Sequence, residues 1–156
     1  MKKIIFILLA IICSNNSFGQ NFKAPATSEF VSVESYKPAE SQVLLCANYL
    51  FEHPADEEEL NRLNSVRYII NWMTGTPDYT FEIGKQAVEL TKGNSDLLGL
   101  YIAAMSKVVI ENEDEELSND EVYERAKKLL VDYCAAPENK MKPSKKIKKI
   151  IKESKK

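Results

Sequence analysis

One histidine, three cysteines, five glycines and six prolines in 156 residues leave little room for several kinds of chemistry. A Ser-His or Cys-His pair has only His53 to draw on, and no nucleophile elbow or H-E-x-x-H string is present. Zinc sites need three or four converging ligands, and one imidazole beside the flexible acids Asp56, Glu57, Glu58 and Glu59 is a poor set. A calcium loop counted from Asp114 has Asn119 where glycine is required and Arg125 where a bidentate acid is required. No C-x-x-C and no Cys/His cluster occurs. The expectation is therefore no catalytic residues, no metal and no cofactor. Scarce glycine and proline also mean few turns and long regular segments.

The longest apolar run, Ile4–Ile12, falls short of the roughly 20 residues a bilayer-crossing helix needs. Preceded by Lys2-Lys3 and followed by Ser17-Phe18-Gly19, it has the form of a secretory signal peptide over residues 1–19. Cleavage after Gly19 would leave 137 residues beginning at Gln20. The mature chain is then exported, periplasmic or extracellular, without a transmembrane span. A retained anchor or a lipid on Cys13 is the alternative, although Ile12 is a poor residue to precede a lipidated cysteine.

A chain that is 44% hydrophobic and 28% charged is globular, not disordered. Its charges are segregated. Residues 140–156 hold nine lysines and a single acid, Glu153, whereas residues 20–139 hold ten basic against 22 acidic residues. An acidic body with a basic tail favours long-range attraction to anions. Export and the acidic body together disfavour nucleic acid, whose readers carry a basic face with stacking aromatics.

Residues 20–36 mix Pro, Ser, Thr and Glu and predict a flexible arm, extended or disordered, with Phe30–Val33 a candidate short strand. From Lys37 the pattern is helix after helix to residue 139. The first begins near Pro38 and carries Val43, Leu44, Ala47, Leu50 and Phe51 on one stripe. Asp56, with Glu59 three residues on, opens the second, whose apolar positions are Leu60, Leu63, Val66, Ile69, Ile70 and Met73. Gly75 is placed to end it in the left-handed conformation. Thr76-Pro77-Asp78 then starts a third helix running to Lys92. The fourth, from Asn94 or Ser95, is apolar over a wide arc and predicts the central helix, with Gly99, Ala103 and Ala104 admitting a close neighbour. Ser118 and Glu121 form a capping box for the fifth. Residues 140–156 form a basic tail in which Ile147, Ile150 and Ile151 share one helical face. Short connections imply antiparallel neighbours: an all-α antiparallel array of five to six helices built from helical hairpins.

Three features carry functional expectations. Trp72, Tyr79 and Phe81 flank a rigid corner and read either as anchors for a protein partner or as an aromatic cluster beneath a turn. Lys145, Lys146, Lys148, Lys149 and Lys152 read either as a face for an anionic envelope surface or as solvated charges turned toward the acidic body. Cys46 and Cys134 read either as a disulfide closing a long loop or as two buried thiols. The combination points to a non-catalytic protein-binding module, by analogy a periplasmic inhibitor or immunity-type protein. The second possibility is an envelope-surface association module working through the lysine-rich helix.

Overall fold

The computed structural model describes residues 22–26, 30–55 and 59–155. The leader expected at 1–19 and the acids Asp56, Glu57 and Glu58 lie outside them. The described residues form six α-helices and no strand: α1 (Tyr36–Glu52), α2 (Leu60–Met73), α3 (Lys85–Thr91), α4 (Ser95–Glu111), α5 (Asn119–Ala135) and α6 (Lys145–Glu153). Two single turns of 3-10 helix, Val33–Ser35 and Pro137–Asn139, precede α1 and follow α5. This is the all-α array read from the apolar periodicities. No described helix is long and apolar enough to cross a membrane.

α4 is the hub, as its wide apolar arc predicts. Eleven of its seventeen residues are buried, and it packs on α1, α2, α3 and α5. Gly99 lets α2 approach: a Cβ there would lie 3.2 Å from Val66 Cγ1. The Asn94 side chain accepts from the Asp96 N–H at the start of α4, and Ser118 and Glu121 cap α5 reciprocally.

α1 and α2 pair antiparallel through contacts at both ends. At one end the Trp72 indole N–H donates to the Tyr36 carbonyl at 3.1 Å. At the other, Arg62 Nη1 donates to the carbonyls of Leu50 and His53, each at 3.1 Å, and the Tyr133 hydroxyl donates to the same His53 carbonyl at 2.6 Å. The last carbonyls of a helix lack intrahelical partners and carry partial negative charge. Arg62, only 9% exposed, is thereby satisfied.

This arginine corrects the reading of α2. The buried row is Arg62, Ser65, Ile69 and Trp72, whereas Leu60 and Leu63, expected inside, are 67% and 52% exposed. Two polar members of the inward row hide its period from a hydrophobicity pattern. The helix runs from Leu60, and the Glu59 carboxylate caps it by accepting from the N–H groups of Asn61 and Arg62; the start expected at Asp56 lies outside the described residues.

The third helix is corrected as well. Residues 76–84 are not helical, and α3 begins only at Lys85 with Gly84 as its cap. Tyr79 and Phe81 both reach Trp72, which alternating side chains of an extended segment do and helical residues two apart do not. Gly93, at φ 83°, supplies the left-handed stop after α3.

The described arm residues up to Ser32 have no regular secondary structure and are tied down. Asn61 Nδ2 donates to the Phe22 carbonyl and Asn61 Oδ1 accepts from the Ala24 N–H, both at 3.1 Å, while Phe30 stacks on Tyr36. The candidate strand at Phe30–Val33 does not form; Val33 opens a 3-10 turn instead.

Replacing Arg62 with Met keeps an apolar stem but leaves the Leu50 carbonyl buried without a donor. We expect a loss of about 2–3 kcal/mol in unfolding free energy by urea titration. Arg62→Lys should recover only part of it, since an ammonium lacks the planar fork.

Candidate functional site

α6 is built to hold lysines outward. Ser144, itself buried, caps it by accepting from the Ile147 N–H at 3.1 Å. Ile147 is wholly buried, and Ile150 and Ile151 are half-buried against the core. Their spacing places all three on one side, so Lys145, Lys148, Lys149 and Lys152 share the opposite side and Lys146 flanks it. All five lysines are exposed. Among the described residues their only ion pair is Lys149 with Glu153, at 3.8 Å on the same helix. The isoleucines thus pack inward as one reading required, but no described acid of the body pairs with these lysines.

The approach to α6 is fixed too. The Ala55 N–H donates to the Asn139 carbonyl at 2.8 Å, Asn139 Nδ2 donates to the Tyr133 carbonyl, and buried Met141 is followed by Lys142, whose carbonyl accepts from Asn94 Nδ2 at 2.9 Å. α6 then packs on α3 and α5. Like charges three and four residues apart repel by about 0.2–0.5 kcal/mol per pair. The lysine face is therefore held together by the isoleucines behind it, and an anion laid across it relieves the repulsion.

Sequence reasoning missed a neighbour of this face. Ile83, Val88 and Leu98, respectively 43%, 54% and 37% exposed, line a shallow apolar groove between α3 and the start of α4. Lys85 and Lys92 also line it, as does Asn94, the residue bonded to the Lys142 carbonyl. With the third helix read as running from Thr76-Pro77-Asp78 to Lys92 and the fourth as apolar over a wide arc, no local signal marked the groove.

Trp72 is fully buried, so the structure places it in the core and not on a partner-contacting surface. Tyr79 and Phe81 are half-buried, their ring centroids 5.7 and 6.0 Å from the indole. Burial raises the Tyr79 phenol above its ordinary pKa. Gly75 makes room for the Tyr36 ring and does not serve a left-handed turn: its φ is not positive, and an added Cβ would lie 2.0 Å from the Tyr36 hydroxyl, which would have to shift. Beside this corner Lys37 bridges Glu40 at 2.9 Å and Glu113 at 2.6 Å, which ties the acidic linker to α1.

The disulfide alternative is not realised. Cys46 and Cys134 are buried free thiols. Cys46 accepts a hydrogen bond from Gln42 Nε2 at 3.7 Å on its own helix. Burial raises both thiols, Cys134 from 9.0 to about 11, which suppresses the reactive thiolate. His53 is exposed, stacks on Tyr49 and places Nδ1 3.0 Å from the Tyr49 carbonyl, a local role at the end of α1. Among the described residues no three His, Cys, Asp or Glu side chains gather as a metal site.

Gly75→Ala should displace the Tyr36 ring and cost about 1–3 kcal/mol, read as a lowered thermal midpoint. Peptide mapping after thiol labelling at neutral pH should find Cys46 and Cys134 modified only once denaturant is added. The raised Cys134 thiol favours the folded state in full below pH 9, and that contribution is lost as pH climbs to about 11. An alkaline series of thermal midpoints checks the sign.

The chain matches no protein-family model, and neither curated proteins nor solved structures show a significant similarity to it.

Proposed function

We propose that this protein is a non-catalytic docking protein of the cell envelope that attaches to an anionic surface through the lysine face of α6. The observation that carries the reading is the pairing of a wholly buried Ile147 with five exposed lysines whose only ionic partner among the described residues is Glu153. The export pattern at residues 1–19 supports an envelope location. Each lysine near an anionic surface contributes about 1 kcal/mol, screened by salt. An inhibitor- or immunity-type role, which rested on the aromatic corner, loses its strongest anchor with Trp72 in the core.

The test replaces Lys145, Lys148, Lys149 and Lys152 with Gln in the protein purified as its host processes it. Co-sedimentation is measured with phosphatidylglycerol vesicles, phosphatidylcholine vesicles and a phosphate-bearing polysaccharide. The unaltered protein should bind an anionic surface, more weakly as salt rises, and ignore phosphatidylcholine. The variant should lose at least roughly tenfold in affinity, with its helical circular dichroism intact. Failure of the unaltered protein to bind either anionic surface ends the proposal.

A further inference from the structure

The lysine face explains attraction to an anion but leaves the apolar groove beside it without a role. Ile83 and Val88 are about half exposed and Leu98 more than a third, although the same helices bury Leu90 and Leu97 completely. Three aliphatic side chains left in water at one place mark an interaction site more clearly than scattered single ones. Lys85 and Lys92, seven residues apart on and just past α3, lie about 10 Å from each other along the helix axis. They bracket the groove, and Glu89 is its only acid. At its far rim Asn94 holds the Lys142 carbonyl, and from there the chain runs into α6, which packs on α3. The apolar centre and its paired lysines therefore adjoin, through Asn94 and the packing of α3 on α6, the chain that carries the five-lysine helix.

We infer that the α3–α4 groove is the membrane-inserting part of the docking face, with an anionic bilayer as its occupant: Ile83, Val88 and Leu98 enter the acyl boundary while Lys85, Lys92 and the α6 lysines hold lipid headgroups. This rests on the reading of α6 as an anion-binding face and narrows it from any anionic surface to a bilayer. One observation favours a bilayer over a protein segment. The adjoining charge is a dense, one-signed array, nine lysines against one acid over residues 140–156, suited to a two-dimensional field of like headgroups and not to a few paired acids. Lysine stems lie along apolar surface while their ammonium groups stay at headgroup level, so the two chemistries work at one depth.

The experiment compares the host-processed protein with Ile83→Ser, Val88→Ser and the double variant, all at exposed positions. Binding to phosphatidylglycerol vesicles is measured at low salt and at salt high enough to screen the lysines, and insertion is read as the pressure rise of a phosphatidylglycerol monolayer. The unaltered protein should keep a salt-resistant fraction of binding and raise monolayer pressure. The double variant should lose on the order of tenfold of the salt-resistant binding and most of the pressure rise, while keeping low-salt attraction and binding to the anionic polysaccharide. Groove variants that insert like the unaltered protein overturn the inference while leaving the α6 reading intact. Absence of vesicle binding by the unaltered protein overturns both. A protein ligand retained by the unaltered chain and not by Val88→Ser, without monolayer insertion, reassigns the groove to a protein partner and also overturns it.

Discussion

A buried guanidinium set into the end of a helix organises this fold. Arg62 takes the Leu50 and His53 carbonyls at the C-terminus of α1, and Tyr133 of α5 joins it on His53. Among the described residues three helices are pinned at one point with no carboxylate joining them, because a helix end offers both unpaired acceptors and negative potential. The register of α2 follows from this contact. With Arg62 facing inward, Ser65, Ile69 and Trp72 must face inward too, and Leu60 and Leu63 are left at the surface. Removing the charge does more than delete a hydrogen bond, since it releases the reason for that rotation.

The opposite logic shapes α6. There the apolar residues are ordinary and the charges are unusual: Ile147 is sealed in the core, and the lysines are crowded onto the other side, where no described acid of the body forms an ion pair with them. A nine-residue helix of this composition has little stability alone. Its order comes from Ser144 at its start, from the tether at Asn94, and from packing on α3 and α5. The side chains are thus presented on a preformed support, which spares the ordering entropy that a loose basic tail must lose on binding. The extended segment before α3 serves two ends at once. Tyr79 and Phe81 cover Trp72, and Ile83, two residues further along, emerges at the groove beside the lysines.

Local signals in the sequence located much of this architecture. The capping box at Ser118, the wide apolar arc of α4, the small Gly99 and the isoleucine stripe of the tail each depend on residues within one or two helical turns, and each was legible. So was the candidate face itself, since nine lysines within seventeen residues need no tertiary context to be noticed. What misled was polar residues doing interior work and apolar residues left outside. Arg62 and Ser65 broke the apparent period of α2. Thr76-Pro77-Asp78 has the form of a helix start, yet the pull of Trp72 on Tyr79 and Phe81 keeps the next residues extended. Gly75 looked like a helix stop and is instead a space for the Tyr36 hydroxyl.

The sequence alone determined the helical class, the positions of most helix ends and the separation of an acidic body from a basic tail. These properties arise from periodicity, capping and charge count along the chain. Only the tertiary structure decided which side of α2 faces inward, that the two thiols stay unbonded, that Trp72 belongs to the core, and that an apolar groove lies beside the lysine helix. Those outcomes depend on which carbonyls, rings and side chains meet from distant parts of the chain, and no local pattern encodes a meeting between residues dozens of positions apart.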